Sequence, residues 1–568
     1  MVNIVERAFD IGAANNLASS GLPNILARVL AARGIRETAQ LDVTLARLIP
    51  PERLTNANAM AVLLADAIAK QKTLLVVGDY DCDGATATAV AMRALKCMGA
   101  KVDYLVPNRF EYGYGLTPEI VMLAAQQNPD IIITVDNGIA SVEGVAKANA
   151  LGIKVLVTDH HLPGDETPAA SCMVNPNQRG CDFPSKNLAG VGVIFYVMLA
   201  LRAELRTRGA FTESSEPNLT ELLDIVALGT VADLVKLDEN NRILVEQGLR
   251  RIRAGKGCAA IRALMKLAGR DPTKANAQDL GFSVGPRLNA AGRLDDMSLG
   301  IACLISDDEA AVQTMAQRLH AMNLERRSIE ADMQEAANIA LLDVDVKDRF
   351  SLSIFEPDWH QGVIGILASR VKEQYHRPVI AFARGNDGTL KGSGRSINGL
   401  HLRDALDLVS KRHPELILKF GGHAMAAGLT IPEKGLEKFR QVFEEVSASL
   451  LTPADLDAVI ETDGSLGAHE VDWHVALALD HQVWGQGFPP PLFGDAFIVK
   501  LQKVVGDRHL KLSLQKLDDD SGRLIDAIYF QQQDFLPQKV HVVYALQTNE
   551  FNGRQQVQLN IRHCVPLE

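Results

Sequence analysis

Between residues 72 and 175 the chain alternates short β-rich runs with helical stretches, and no other feature restricts its fold as strongly. The runs are TLLVVGDY, KVDYLVPN, DIIITVDNG, IKVLVTDHH and SCMVNPN, with spacers such as 85–98 and 118–127. Spacers of this length suit right-handed crossovers, which join parallel strands and lay helices on both faces of the sheet. The expected fold class is therefore α/β, with a doubly wound parallel sheet. Ligands of such sheets bind beyond the carboxyl ends of the strands.

Three of these strands run into acids or imidazoles. The first leads into Asp79, Asp81 and Asp83 within GDYDCDG, the third into Asp136 in VDNG, and the fourth into Asp159, His160 and His161. A further acid, Asp233 in GTVAD, follows in a helical segment able to close the site. A single Asp at a strand end is ordinary turn chemistry. The set along one sheet edge instead suggests shared divalent metals. The D-x-D-x-D-G run also fits the start of an EF-hand loop, but a strand precedes it and Val90 stands where that loop needs Glu. The sequence HEVDWH has one residue too many between its histidines for a zincin pair. An oxygen-rich, thiolate-free ligand set with some imidazole suits Mn²⁺ or Mg²⁺, and two such ions serve in-line attack at phosphorus. The chain has no phosphate loop of the G-x-x-x-x-G-K-[ST] type, which disfavours a nucleotide-driven motor. Hydrolysis of a phosphate ester or anhydride is the direct inference.

The 568 residues leave room for three or four domains at roughly 100–200 residues each. A net charge of −11 argues against coating nucleic acid through bulk charge, so a polyanion needs a local basic groove. Seven scattered cysteines without a C-x-x-C pair suggest neither a disulfide framework nor a thiolate zinc site. The apolar, uncharged stretch 188–201, closed by Arg202, is shorter than the roughly 20 residues of a spanning helix, and the acids in MVNIVERAFD do not fit a secretion signal. The expectation is a cytoplasmic protein without a membrane span.

Beyond the first sheet, residues 188–300 read as helical and include an amphipathic run at 220–235. Apolar residues from 308 to 342 recur at the spacing of one long connecting helix. A second mixed α/β unit follows, and from 453 onward strands such as FIVKLQKVV and HLKLSLQ flank Gly506-Asp507-Arg508 as in a hairpin of a small β-barrel. Phosphate-binding candidates are Arg109 beyond the second strand, Arg287 in GPRLNAAGR, Arg395 in a flexible GSGRS loop, and His423 after Gly421-Gly422. Between 500 and 516, five cations including Lys503, Lys511 and Lys516 face one acid, Asp507, which suits single-stranded nucleic acid.

GDYDCDG, TVDNG, DHH and GTVAD, in that order, resemble the DHH phosphoesterase superfamily. GPRLNAAGR, WHQGVIGI, GSGRS and GGHAMAAGL narrow the resemblance to its bacterial single-strand exonucleases. The resemblance implies an N-terminal helical segment (1–45), a DHH catalytic domain (46–306), a connecting helix (307–344), a DHHA1 domain (345–452) and an OB-fold nucleic-acid-binding domain (453–568). It further implies 5′→3′ hydrolysis of single-stranded DNA to 5′-mononucleotides in recombination and repair. Asp81, Asp83, Asp136, His160 and Asp233 would hold Mn²⁺ or Mg²⁺ as a pair of ions, with Asp136 bridging and Asp79 a ligand or a neighbour of one. His161 would contact the scissile phosphate or orient water, and Asp159 would buttress the imidazoles. Arg109, Arg287, Arg395 and His423 would grip DNA phosphates, and Lys503 and Lys511 would belong to the basic barrel surface. A single-strand-binding protein and a helicase are implied partners. Two alternatives remain: a DHH phosphoesterase for short oligoribonucleotides or cyclic dinucleotides, and a decayed, non-catalytic scaffold.

Overall fold

A computed structural model describes residues 2–567 apart from 113–114, 213, 343–344, 386–387, 507, 520 and 552–553. The chain divides into two compact units, the first made of Glu6–Gly292, Asp296–His320 and Glu461–Glu568, the second of Met1–Val5, Arg293–Asp295 and Ala321–Ile460. The chain starts in a short strand, β1 (Val2–Glu6).

The first unit contains a parallel sheet of β2 (Thr73–Gly78), β3 (Lys101–Leu105), β4 (Ile131–Val135), β5 (Lys154–Thr158) and β6 (Cys172–Val174), in the order β3-β2-β4-β5-β6. The helices Pro118–Ala125 and Val142–Ala150 cover one face, packing on Leu75, Val77, Ile132, Val155 and Val157. The Cys82–Cys97 and Gly190–Thr207 helices lie on the other. Every residue of β4 is buried, as its unbroken apolar run IIITV requires of a strand covered on both sides. The strand order reverses between β2 and β4, so the chain ends leaving these two strands diverge over a crevice.

The helical run expected to be amphipathic at 220–235 is instead the helix Leu223–Ala232, buried from Leu223 through Thr230. It packs between the Cys82–Cys97 helix and the Glu239–Arg253 helix, so apolar residues all round it find partners.

The second unit holds the mixed sheet of β7 (Leu352–Phe355), β8 (Val379–Arg384), β9 (Thr389–Arg395), β10 (Lys419–Gly422) and β11 (Ala426–Pro432), ordered β10-β11-β9-β8-β7. GSGRS is therefore not a flexible loop. Gly392 and Gly394 lie inside β9, where a Cβ would stand 2.6 Å from Leu429 Cδ2 or 2.7 Å from Leu402 Cδ2. These glycines let neighbouring side chains close onto the strand, a packing requirement that resembles a loop signal in sequence. The helix Glu309–Leu341 carries the chain from the first unit into the second.

After β12 (Ala458–Thr462), which pairs with β1, come the five strands of a closed barrel: β13 (Phe493–Val505), β14 (His509–Lys516), β15 (Leu524–Phe530), β16 (Lys539–Phe551) and β17 (Arg554–Pro566). Val505 pairs with His509 across the expected hairpin, whose Asp507 lies outside the described residues. Lys516 does not belong to the basic surface. Its side chain is 3% exposed, and its Nζ lies 3.0 Å from Asp495 and 2.9 Å from Asp518. Alternation along β14 turns this position inward with Leu510, Leu512 and Leu514.

Candidate metal centre

The crevice between β2 and β4 is where the acids gather. After β2 the chain passes Asp79 and Asp81 and turns at once into the Cys82–Cys97 helix, whose N-cap is Asp81, accepting from the Gly84 amide at 3.0 Å. A Cβ on Gly84 would stand 2.5 Å from Asp79 O, so the turn is this tight only with glycine there. Asn289 Oδ1, in GPRLNAAGR, accepts from the Cys82 amide at 2.8 Å and holds the same turn from outside.

Asp83 is buried, and both of its oxygens accept backbone amides at the start of the Gly190–Thr207 helix: Gly190 at 2.6 Å and Val191 at 2.9 Å. Burial, then the neighbouring Asp81 charge, push its pKa up to about 7 against the pull of those amides. Asp136 follows β4 in the left-handed region at φ 62°, a conformation that costs a non-glycine residue about 1 kcal/mol or more. A Cβ on Gly190 would stand 2.6 Å from Asp136 Cβ. Burial, then Asp83, raise the Asp136 pKa well above the carboxylate range, and the same two causes raise Asp233.

His160 points Nε2 into this acid cluster, 3.1 Å from Asp136 Oδ1, 3.5 Å from Asp233 Oδ2 and 3.9 Å from Asp83 Oδ2. Asp233 caps the end of the Leu223–Ala232 helix, and its buried Oδ2 has no hydrogen-bond partner among the described residues. Asp159 stands behind the imidazoles. Its Oδ1 accepts the His160 amide at 2.7 Å and lies 2.8 Å from His161 Nδ1, while Oδ2 accepts the Ile139 amide at 2.9 Å. Burial disfavours the Asp159 anion, but the His161 hydrogen bond and the imidazole charges outweigh it and hold the pKa low. At His161 burial opposes the cation, but the same bond together with the charges of Asp159, Asp79 and Asp81 outweighs it and raises the pKa.

Ligand atoms fall into three groups, each within 4.8 Å: Asp136, His160 and His161; Asp83, His160 and Asp233; and Asp79, Asp81 and Asp136. The residues fit hard divalent cations. Oxygens dominate, the three groups hold no thiolate, burial and mutual repulsion raise the carboxylates' pKa for want of countercharge, and Asp233 Oδ2 has no hydrogen bond among the described residues.

The structure thus brings together Asp79, Asp81, Asp83, Asp136, Asp159, His160, His161 and Asp233. Arg287 lies in the same unit, largely buried, its Nη1 donating to Ser283 O at 2.5 Å and its Nε to His320 Nδ1 at 3.1 Å. Arg109 begins the short helix Arg109–Tyr112, and its side chain lies outside the described residues. Arg395 and His423 belong to the second unit. Arg395 ends β9 with Nη1 donating to Gly394 O at 2.8 Å. The His423 amide donates to Ala426 O at 2.8 Å in the β10–β11 turn. Lys503 and Lys511 face each other across β13 and β14, and Lys511 lies 3.4 Å from Asp526.

Sequence reasoning missed Gly190, Asn175 and Asn177. The Asn175 amide donates to His161 O at 2.9 Å and that of Asn177 to His160 O at 2.6 Å, so the NPN after β6 fixes the backbone of both histidines. Two asparagines right after a short strand were the available signal.

Fold and site together define a metal-dependent phosphoesterase of the DHH class. The DHH family N-terminal domain model matches residues 73–230, the DHHA1 domain 347–449, and the RecJ OB domain 462–563. The chain belongs to the RecJ family of exonucleases. It is 49% identical over 578 residues to the single-stranded-DNA-specific exonuclease RecJ of Dickeya dadantii (strain 3937), covering 100% of both chains. It is also 49% identical over 559 residues to the RecJ of Escherichia coli (strain K12), covering 96% of each. The crystal structure of Thermus thermophilus RecJ in complex with Mn²⁺ superposes with a TM-score of 0.84 at 28% identity, over 100% of this chain and 79% of that one. The Mg²⁺ complex of the same protein gives 0.78 at 26%, over 100% and 78%. No helix among the described residues is long and apolar enough to cross a membrane.

Proposed function

We propose that this chain degrades single-stranded DNA from its 5′ end to 5′-mononucleotides, using two divalent ions, in recombination and repair. The observation that carries the two-ion reading is the double membership of Asp136, which shares one ligand group with Asp79 and Asp81 and another with both histidines. Asp81, Asp83, Asp136, His160 and Asp233 would hold the ions, with Asp79 completing the set. Bound Mn²⁺ or Mg²⁺ supplies a hydroxide at neutral pH and neutralises charge on the phosphate during in-line displacement.

The chain's own residues do the rest. Asp159 accepts at His161 Nδ1, so Nε2 is the atom that would hold a proton toward a phosphate oxygen or the attacking water. The raised pKa of His161 favours the form that donates there. Arg109, Arg287, Arg395 and His423 bind phosphates, and Lys503 and Lys511 bind the strand farther along. Segments 1–45, 46–306, 307–344, 345–452 and 453–568 act as helical lead, DHH domain, connecting helix, DHHA1 domain and OB domain. A cytoplasmic location and work beside a single-strand-binding protein and a helicase belong to the same reading, supported by the family resemblance.

Digestion of end-labelled single-stranded DNA with Mn²⁺ or EDTA, using wild type and Asp136→Ala, tests it. Mononucleotides should leave the 5′ end only with metal, and the substitution should lower the rate by roughly a thousandfold or more. Cleavage of dinucleotides with long DNA intact would move the substrate to short oligonucleotides. No cleavage under any metal would leave a binding scaffold.

A further inference from the structure

Two segments that carry residues of the metal centre, and a turn packed against its ligand-bearing elements, expose large apolar side chains. Leu162 follows His161 and is 65% exposed, Leu234 follows Asp233 and is 64% exposed, and Phe282 is 79% exposed, a value equalled among described apolar residues by Leu342 alone. Leu234 is held at φ 60°, where a leucine is strained. Phe282 sits in the π-helical turn Leu280–Val284, a distortion that is rare and often functional.

That turn is packed directly against the ligand-bearing elements. A Cβ on Gly281 would stand 3.1 Å from Val231 Cγ1, two residues before Asp233. A Cβ on Gly285 would stand 3.3 Å from Ala232 Cβ and 4.0 Å from Cys82 Sγ, the latter between Asp81 and Asp83. Phe282 is thus anchored by its neighbours to both acid-bearing segments while its own ring stands in solvent. Exposed apolar surface is costly, and a strained leucine beside it adds to the cost. Around a centre that receives a phosphodiester, the apolar surface that arrives with the phosphate is the faces of the nucleobases.

We propose that Phe282 is a stacking shelf for the bases next to the scissile phosphate, joined in this by Leu162 and Leu234, which follow ligands of the same centre, and that it contributes to the choice of single strands. In a duplex each base face is already covered by its neighbours in the same strand. An unpaired base can turn onto the ring, and stacking of this kind is tolerant of sequence. The proposal rests on the nuclease reading above and adds the residue that recognises the unpaired base.

The test compares wild type, Phe282→Ala and Phe282→Tyr on two single strands: a normal one, and one whose terminal nucleotides lack bases. Wild type should show a KM about tenfold lower for the normal strand, in line with the stacking of one base. Phe282→Ala should abolish this preference, raising KM on the normal strand and leaving the abasic strand little changed, and Phe282→Tyr should restore it. Mn²⁺ titration by calorimetry, with the full chain, should give the same affinity for all three proteins. A KM that rises equally on both strands, a loss confined to kcat, an unchanged preference or a weakened Mn²⁺ affinity would each overturn the shelf. Failure of wild type to degrade the normal strand with Mn²⁺ would instead sink the nuclease reading, and the shelf with it.

Discussion

The crevice at β2 and β4 and the surface of the C-terminal barrel use charge in opposite ways. At the crevice, Asp83 and Asp136 are nearly inaccessible, clamped by backbone amides or by a close-packed glycine, and pushed toward protonation by burial and then by neighbouring carboxylates. On the barrel, Lys503 is exposed opposite Lys511, and such like-charged pairs are tolerable only where solvent or a polyanion screens them. A hard dication rewards ligands fixed before it arrives, since it replaces their lost hydration. A flexible polyanion rewards charges that stay hydrated and yield counterions when it binds. Lys516 shows the boundary between the two, because it lies on the same strand as Lys511 but faces the opposite way and is buried against Asp495.

The sharpest way to break the comparison after loss of Asp136 is therefore Lys516→Ala. Removing it leaves the buried Asp495 carboxylate, which also accepts from the Tyr544 hydroxyl at 2.7 Å, without its cation, and should destabilise the fold by about 3–5 kcal/mol in urea denaturation. A loss below about 1 kcal/mol would mean that this lysine behaves as a surface charge.

Next in size, Asp159→Asn removes the anion behind His161 without removing any ligand named above, and should reduce the rate about 10–100-fold. The His161 pKa should fall at the same time, seen by NMR titration of the imidazole.

Metal dependence should follow pH with a definite sign. Asp83 titrates at about 7 in the folded chain, above its ordinary carboxylate value, raised by burial and then by Asp81. Such an acid favours the metal-free fold at low pH, where it is protonated, and that contribution is lost as pH rises through about 7. Protons and metal compete for the site, so Mn²⁺ should raise Tm more at pH 8 than at pH 6 by calorimetry. Equal shifts at both would mean that the carboxylates are ionised before the metal binds.

The smallest effect belongs to the barrel. Lys503→Ala with Lys511→Ala should raise KM for long single strands several-fold and flatten the salt dependence by about 0.7 for each phosphate that the lysines no longer neutralise. An unchanged salt slope would remove these lysines from the strand's path.

Much of this was legible beforehand for a local reason. Strand runs, spacer lengths and the acids that end each strand are consecutive in the chain, so the sheet and its crowded edge follow from reading along it. GSGRS misled because glycine admits a loop or a crowded strand, and only the side chains of Leu429, Phe382 and Leu402, brought in from neighbouring elements, decide between them. Helix 223–232 misled because burial on all sides depends on two other helices.

By itself the sequence determined the parallel sheet, the acid-rich edge and the barrel, since periodicity and turn chemistry act over a few residues. The tertiary structure alone decided that Gly190 must be bare to admit Asp136, that Asn175 and Asn177 hold the histidine backbone, and that Lys516 is buried while Lys503 is exposed. Those are matters of which surfaces meet, and a meeting of segments far apart in the chain exists only once the whole has folded.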